Sequence, residues 1–304
     1  GQQDPIELQV AIKNGRIYSI GKDLDQKLKA RSVIDAKGMI VAPGFIDPHT
    51  HADAELNSND KNANLNYLTQ GVTTVFIGND GGGTVDVKAA FDQYRKKGIG
   101  TNVATYIGHG ALRRSVMGIE DRAPTADELR QMKEKIAQAM DDGALGLSTG
   151  LYYVPGSYAK LDEVVALAKV AAQYKGVYDS HIRDESSYSI GLKGAVDEVI
   201  EIARQTGIAV HIAHIKALGV DVWGQSRDVV AMIEQARAQG LKVTADQYPW
   251  RASGTSIEGA LMPRWVMAGS KAIYRERLLD PQLQDRIRSE MTENLRRRGG
   301  AEAI

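Results

Sequence analysis

The chain contains no cysteine. That excludes a disulfide scaffold, a cysteine-based zinc site and a thiol nucleophile. It leaves the compartment unassigned, because a chain without thiols tolerates either redox state. Net charge is also missing: 38 Lys plus Arg offset 38 Asp plus Glu, which gives no support to a nucleic-acid or polybasic membrane partner. No apolar run approaches the ~18–20 residues of a membrane span, and no signal peptide is recognisable. The first residue is Gly rather than Met, consistent with a fragment or a mature form. What is present is 304 residues, 43% hydrophobic and 25% charged, the balance of an ordinary soluble globular enzyme. The length accommodates one large barrel or two domains.

Residues 6–42 read as a small β unit. Asn14-Gly15 is a strong hairpin signal, and a second pair of short runs, 32–35 and 39–42, flanks Lys37-Gly38. From Gly44 the pattern changes. Short apolar runs at 44–47, 72–77, 103–107, 144–147, 176–180, 208–213 and 241–245 recur about every 30 residues, the size of one βα unit. Between them lie helical stretches: 129–140 behind a Thr125-to-Glu128 capping box, 161–174, 195–204 and 227–238. No Gly-x-Gly-x-x-Gly loop supports a doubly wound nucleotide fold. Polar residues gather where the runs end, which predicts a TIM (β/α)8 barrel with its site at the C-terminal strand ends. Seven strands are visible. A charged helical segment, 278–298, follows, and an eighth strand is expected to be absent from this chain. The expected domains are residues 1–42, part of a small β-sandwich, and 43–304, the barrel.

Four histidines fall at strand ends. His49 and His51 flank Thr50 after the first run, His181 follows the fifth and His214 the sixth. Side chains two apart on a strand share a face, and imidazoles suit zinc or a similar divalent ion. A lone strand-end histidine is more often structural. A His-x-His with two more at successive strand ends of one barrel points to a metal. His109 is placed to line the pocket, His211 reads as a core or wall residue, and Arg113 and Arg114 read as a solvated surface pair.

The segment Pro43-Gly44-Phe45-Ile46-Asp47-Pro48-His49-Thr50-His51 resembles the opening motif of the amidohydrolase superfamily. Gly108-His109-Gly110, Gly146-Leu147-Ser148-Thr149-Gly150-Leu151, Ser180-His181-Ile182-Arg183-Asp184-Glu185, His214-Ile215-Lys216 and Asp246-Gln247-Tyr248-Pro249 narrow the resemblance to the N-acyl-D-amino-acid deacylases. It implies that His181 and His214 hold one tight zinc, and that His49 and His51 form a second, weaker position. The bridging carboxylated lysine of many superfamily members has no counterpart, because Leu147-Ser148-Thr149 stands there. Asp80, in Gly78-Asn79-Asp80-Gly81, occupies the place of the deacylases' cysteine ligand. A carboxylate is a competent, harder zinc ligand.

The resemblance further implies substrate contacts from Tyr153, Lys216 and Tyr248, with Arg183 either joining them or pairing with Asp184 or Glu185. The family's proton-carrying aspartate, in a Ser-Asp-Gly setting on the eighth strand, has no match in the 304 residues. Asp246 ends the seventh strand and is not that residue, so no catalytic residue is assigned. The implied activity is metal-dependent hydrolysis of N-acyl-D-amino acids. The rivals are another amidohydrolase reaction on a cyclic amide or dipeptide, and a non-catalytic metal-binding fragment. The implied partner is a small molecule, with no nucleic acid and no membrane.

Overall fold

A computed structural model describes residues 6–303 and divides between Pro43 and Gly44 into two compact units. In the first, strands β1 (Gln9–Lys13) and β2 (Arg16–Gly21) pair antiparallel. Asn14 and Gly15 join them with φ of 52° and 70°, the left-handed geometry of the primed turns whose twist matches a hairpin. The expected strands at 32–35 and 39–42 are absent among the described residues. Only the intervening turn is present, where the Met39 N–H donates to the Ala36 carbonyl at 2.9 Å. Val33, Ile34 and Ile40 are 81%, 87% and 84% exposed. A turn is a local property, whereas a strand needs a partner. Residues 1–5 and 304, which the expected domains include, lie outside the described residues.

The second unit carries the parallel sheet. Its strands are β3 (Phe45–Asp47), β4 (Val72–Ile77), β5 (Asn102–Thr105), β6 (Ile107–Gly108), β7 (Gly146–Gly150), β8 (Val177–His181), β9 (Ala209–Ile212) and β10 (Val243–Ala245). The third apolar run is split at Tyr106. β5 pairs with β4 and β6 with β7, giving the orders β3-β4-β5 and β6-β7-β8-β9-β10, all parallel. Backbone bonds from Tyr106 to Ile77 and from Leu145 to Thr105 carry the connection across the split. β3 and β10 each have one neighbour among the described residues. β7 begins two and ends three residues later than the apolar run at 144–147 suggested, so Ser148, Thr149 and Gly150 lie within it.

Helices pack against this sheet. Ala126–Asp141 is closed by the expected capping box, with Glu128 N–H to the Thr125 hydroxyl at 3.2 Å and Thr125 N–H to the Glu128 carboxylate at 2.7 Å. Leu161–Gln173 buries Val164, Val165, Leu167, Ala168 and Ala171. Gly191–Thr206 buries Val196, Val199, Ile200 and Ala203 among others, and Ser226–Ala238 completes the set. Full burial of each large apolar side chain is worth about 1.5–3 kcal/mol. β7 is buried along its whole length, as expected for a parallel strand covered on both faces. A separate helix, Lys271–Leu279, precedes the charged C-terminal segment, which forms the expected helix, Pro281–Arg297. Asp280 caps the second and Pro281 occupies its first turn, where its missing N–H costs nothing.

Two sequence expectations are corrected here. Arg113 is not a solvated neighbour of exposed Arg114: it is fully buried. His109 does not line a pocket: it is equally buried. Both turn onto Glu163 of the Leu161–Gln173 helix. Arg113 Nη1 reaches its two oxygens at 2.8 and 2.6 Å, and His109 Nε2 reaches it at 2.8 Å. Arg113 Nη2 donates to the carbonyls of Glu120 and Arg122. Burial raises the Glu163 carboxyl, but His109 and Arg113 outweigh it and hold the group below its ordinary range. The folded-state value therefore lies below the unfolded one. Its stabilisation is present above the unfolded value of about 4.3 and is lost as pH falls through the folded one. Glu163→Gln should cost about 3–5 kcal/mol in denaturant unfolding at neutral pH, because it strands a buried guanidinium. The gap to wild type should narrow below about pH 4.

Candidate metal centre

The site forms where the C-terminal ends of β3, β4, β8, β9 and β10 meet. After β3, the Thr50 N–H and hydroxyl both donate to the Phe76 carbonyl of β4, at 3.1 and 2.7 Å. With Thr50 pinned, the two flanking histidines face the same centre. His181 is the last residue of β8. His214 follows β9 with φ of 37°, its N–H bound by the Asp246 carboxylate.

Asp80 stands between these four rings. Its Oδ1 lies 3.4 Å from His49 Nε2, 3.6 Å from His181 Nδ1 and 3.5 Å from His214 Nε2, and its Oδ2 lies 3.5 Å from His51 Nε2. The atoms form two groups that share the carboxylate: His49, His51 and Asp80, and Asp80, His181 and His214. Ligands about 2.0–2.1 Å from a tetrahedral ion stand roughly 3.3 Å apart, close to the observed spacing. Of the facing atoms, His181 Nδ1 lies 2.9 Å from His214 Nε2, while His49 Nε2 and Asp80 Oδ1 are buried without a hydrogen-bond partner. Buried polar atoms normally find one, so donor type, spacing and orphaned atoms all fit a bound cation. His51 is the open member, with a side chain 70% exposed.

The charged groups at the centre offset one another. Burial raises the Asp80 carboxyl, yet hydrogen bonds from His181, His214 and His49 hold it well below its ordinary range. Burial would lower the His214 imidazole, but Asp80 and Glu185 hold it up at about 9. Glu185 Oε1 accepts from Lys216 Nζ at 2.5 Å and lies 3.2 Å from His214 Nδ1. Burial opposes its ionisation, but His181, His214 and Lys216 bring it to about 2. A carboxylate on the far nitrogen of a ligating histidine fixes ring orientation and raises basicity.

The Asp80 loop is held in an unusual backbone geometry. Gly78, Asp80 and Gly81 have φ of 74°, 55° and 71°, a region open to Gly and tolerated by Asp. A side chain at Gly78 would meet the Tyr106 carbonyl at 2.4 Å. Ser148 of β7 bridges the loop: its hydroxyl donates to the Gly78 carbonyl at 2.5 Å and accepts from the Gly81 N–H at 3.1 Å. On the other side, the Ala111 N–H donates to the Gly81 carbonyl at 2.9 Å. Asn79 places its amide nitrogen 3.2 Å from both the Pro48 carbonyl and His49 Nδ1.

A cavity of about 850 Å³ opens over the centre. Tyr153, Lys216 and Tyr248 line it. Tyr153 stacks at a tilt on His181, ring centroids 4.8 Å apart, and Lys216 Nζ lies 5.5 Å from the Tyr248 ring. Arg183 does not line it. Its guanidinium is taken by Glu198 at 2.8 Å and by the Ser157 and Ala159 carbonyls, so the expected pairing with Asp184 or Glu185 is replaced by one across to the Gly191–Thr206 helix. His211 is a wall residue held between Thr244 and Asp246, each at 2.9 Å. Sequence reasoning missed Asn79, Ser148, Glu185, Tyr152 and Arg298. The first three adjoin recognised motif residues. Arg298 carries no sequence signal at all.

An α/β sheet that gathers four imidazoles and a carboxylate at its strand ends defines a metal-binding α/β protein, and residues 32–255 match the model of the amidohydrolase family. The chain belongs to that family. It is similar to the N-acyl-D-glutamate deacylase of Alcaligenes xylosoxydans xylosoxydans, 37% identical over 82% of this chain and 54% of that one. The D-aminoacylase of the same organism is 32% identical over 87% of this chain and 57% of that one. Among solved structures it resembles the N-acyl-D-glutamate deacylase of Bordetella bronchiseptica, complexed with zinc and a phosphonate inhibitor, with a TM-score of 0.77 and 37% identity over 83% of this chain and 57% of that one. The chain spans about half the length of the curated relatives it matches. No helix among the described residues is long and apolar enough to cross a membrane.

Ser148→Ala removes the hydroxyl that ties both sides of the Asp80 loop and leaves the Gly81 N–H without its acceptor. Zinc affinity should fall about tenfold, as for loss of an outer-shell partner, read by competition with a chelator.

Proposed function

We propose that this chain is the metal-binding part of an N-acyl-D-amino-acid deacylase, hydrolysing the amide to a carboxylate and a free D-amino acid. The observation that carries the reading is the Asp80 carboxylate set between two histidine pairs at the floor of the cavity. The similar deacylases support it, including the one solved with zinc and a mimic of the tetrahedral intermediate. His181, His214 and Asp80 would hold the tight ion, and His49 and His51, sharing Asp80, a weaker second one. A bound zinc supplies Lewis acidity and brings the pKa of its water to about 7.

The chain's own side chains supply orientation. Glu185 fixes His214 from behind, and Asn79 sets the His49 ring. Lys216 and Tyr248, with Tyr153 opposite, offer an ammonium and two phenol donors to the substrate carboxylate. Burial pushes the Tyr153 hydroxyl up to about 12, so it remains a donor at neutral pH. Asp246 is engaged on both oxygens, by His211 and by the His214 N–H. We assign it to positioning His214 rather than to proton transfer. The first unit is a small β unit within residues 6–42; the fold we infer for the second is a (β/α)8 barrel in which the described residues supply seven strand positions. Its unpaired edges are β3 and β10, and Phe45 and Ile46 on β3 are 65% and 62% exposed.

Elemental analysis of gently purified protein should give about one zinc equivalent or more, as the closed ligand set of a structured site predicts. His214→Ala should abolish occupancy, while His49→Ala should retain most of it; equal losses would overturn the ligand ranking. The full natural chain should release free amine from N-acetyl-D-amino acids and not from their L-counterparts. Zinc-loaded protein without such turnover would overturn the deacylase reading.

A further inference from the structure

His214 holds a backbone conformation that a residue with a side chain seldom adopts. Its φ is 37°, in the left-handed region, which persists at a non-glycine position only where the surroundings hold it. Asp246, just beyond β10, does most of the holding. Its carboxylate accepts the His214 N–H, its carbonyl accepts the Ile215 N–H at 2.9 Å, and its own N–H donates to the Ile212 carbonyl at 3.3 Å. On the other side the Ala213 N–H donates to the Ser180 carbonyl of β8 at 3.0 Å. The turn is bracketed from both neighbouring strands. The bond to the His214 N–H is the one that depends on a side chain. The Asp246 side chain is 25% exposed, so water competes for it, and a carboxylate held by a single bond can rotate away.

His211 removes that freedom. Its Nε2 lies 2.9 Å from the second Asp246 oxygen. Its Nδ1 lies 2.9 Å from the Thr244 hydroxyl, which is itself 3.3 Å from the Val210 carbonyl. The ring is fixed at both nitrogens, and it fixes the plane of the carboxylate in turn. Sheet register places it there. Asp179, His211 and Thr244 are partners in one row across β8, β9 and β10. Val210 and Ile212 belong to the apolar cluster shared with the helices, so His211 between them faces the other way. In the barrel inferred above, that face is ordinarily filled by bulky branched apolar side chains. An imidazole there forfeits apolar packing and gains two directed bonds.

The tether reaches one metal-site histidine only. Among the described residues, His211 and Asp246 make no hydrogen bond to His49, His51 or His181.

We propose that His211 is a positioning residue that, through Asp246, holds the left-handed turn presenting His214, and so sets the affinity of the ion that His214 binds without touching that ion. The proposal rests on the metal reading above and extends it from the ligands to the strand behind them. Loss of such an outer partner lowers metal affinity about 10–100-fold.

The test measures zinc binding by competition with a chelator, in the full natural chain stripped of metal, so that no deacylase turnover is needed. Two amides are compared. His211→Gln sets an amide nitrogen near the Nε2 position and its oxygen near Nδ1, keeping both bonds. His211→Asn is one carbon shorter and reaches Thr244 but not Asp246. The first zinc should bind within a few-fold of wild type in the Gln variant and about tenfold more weakly in the Asn variant. Any second equivalent should be unaffected in both. With cobalt in place of zinc, the visible absorption of the first equivalent should shift in the Asn variant and not in the Gln variant. In an Asp246→Ala background, His211→Asn should cause no further loss, because the path runs through Asp246. Thermal midpoints of the metal-free variants report folding. Thr244→Val, which releases the far nitrogen of the ring, is a milder cut in the same path: it should weaken the first zinc and spare the second, and it decides the matter where a His211 variant does not fold. Wild-type affinity for the first zinc in a folded Asn variant overturns the proposal. So do equal losses in the Gln and Asn variants, equal losses at both equivalents, or losses that add to those of Asp246→Ala. Wild-type protein that binds no zinc would instead overturn the metal reading itself.

Discussion

One carboxylate with four imidazoles around it is the arrangement on which the rest of the site depends. Asp80 reaches that position only because its backbone takes a left-handed turn between two glycines, and that turn persists only because neighbouring elements grip it. Ser148 of β7 ties its two ends, and the first turn of the His109–Met117 helix holds the Gly81 carbonyl. The same helix is anchored below by the buried Glu163 cluster. A chain of short contacts thus runs from a deep ion cluster to the ligand loop.

The residues behind the ligands complete this logic. The two acidic groups behind His214 have opposite or donating partners within hydrogen-bonding reach: Glu185 with Lys216 and His214, and Asp246 with His211 and the His214 N–H. Such pairing is what makes burial tolerable, since an isolated charge in a low-dielectric wall is strongly disfavoured. The exceptions are informative. His49 Nε2 and Asp80 Oδ1, which face each other at 3.4 Å, lack partners because they point at a common volume. Arg298, among the described residues, makes no ion pair and donates to the Tyr152 hydroxyl at 3.1 Å instead.

The sheet itself is a sequential parallel ladder whose third member breaks at Tyr106 to serve both neighbours. The break lets β5 follow β4 and β6 follow β7. It also brings Gly108 and Gly110 against the Asp80 loop: a side chain at Gly108 would meet the Gly82 carbonyl at 1.9 Å. Irregularity in the strand and the close approach at the site are therefore one feature.

Periodicity was enough to place the strands and the covering helices, because apolar spacing and capping chemistry are local properties. The Thr125–Glu128 box and the Asn14-Gly15 turn are present where the sequence put them. The four clustered histidines were readable because strand ends of a parallel α/β sheet converge in space, so residues far apart in number share one rim; Asp80 was readable only through the resemblance of its Gly-Asn-Asp-Gly setting to the deacylases. Burial and partner choice were not readable. Arg113 looks like any surface arginine beside Arg114, and only packing shows that one faces Glu163 and the other solvent. Arg183 follows a metal-site histidine, yet Glu198, one helix away, claims it. The runs at 32–35 and 39–42 have strand composition but no partner. Arg298 meets Tyr152 across 146 positions of sequence, a contact no local pattern encodes. Sequence determines what each segment tends to be and which chemistry it can offer. Tertiary structure decides which groups lose water together, and hence which charges are paired and which remain free to bind.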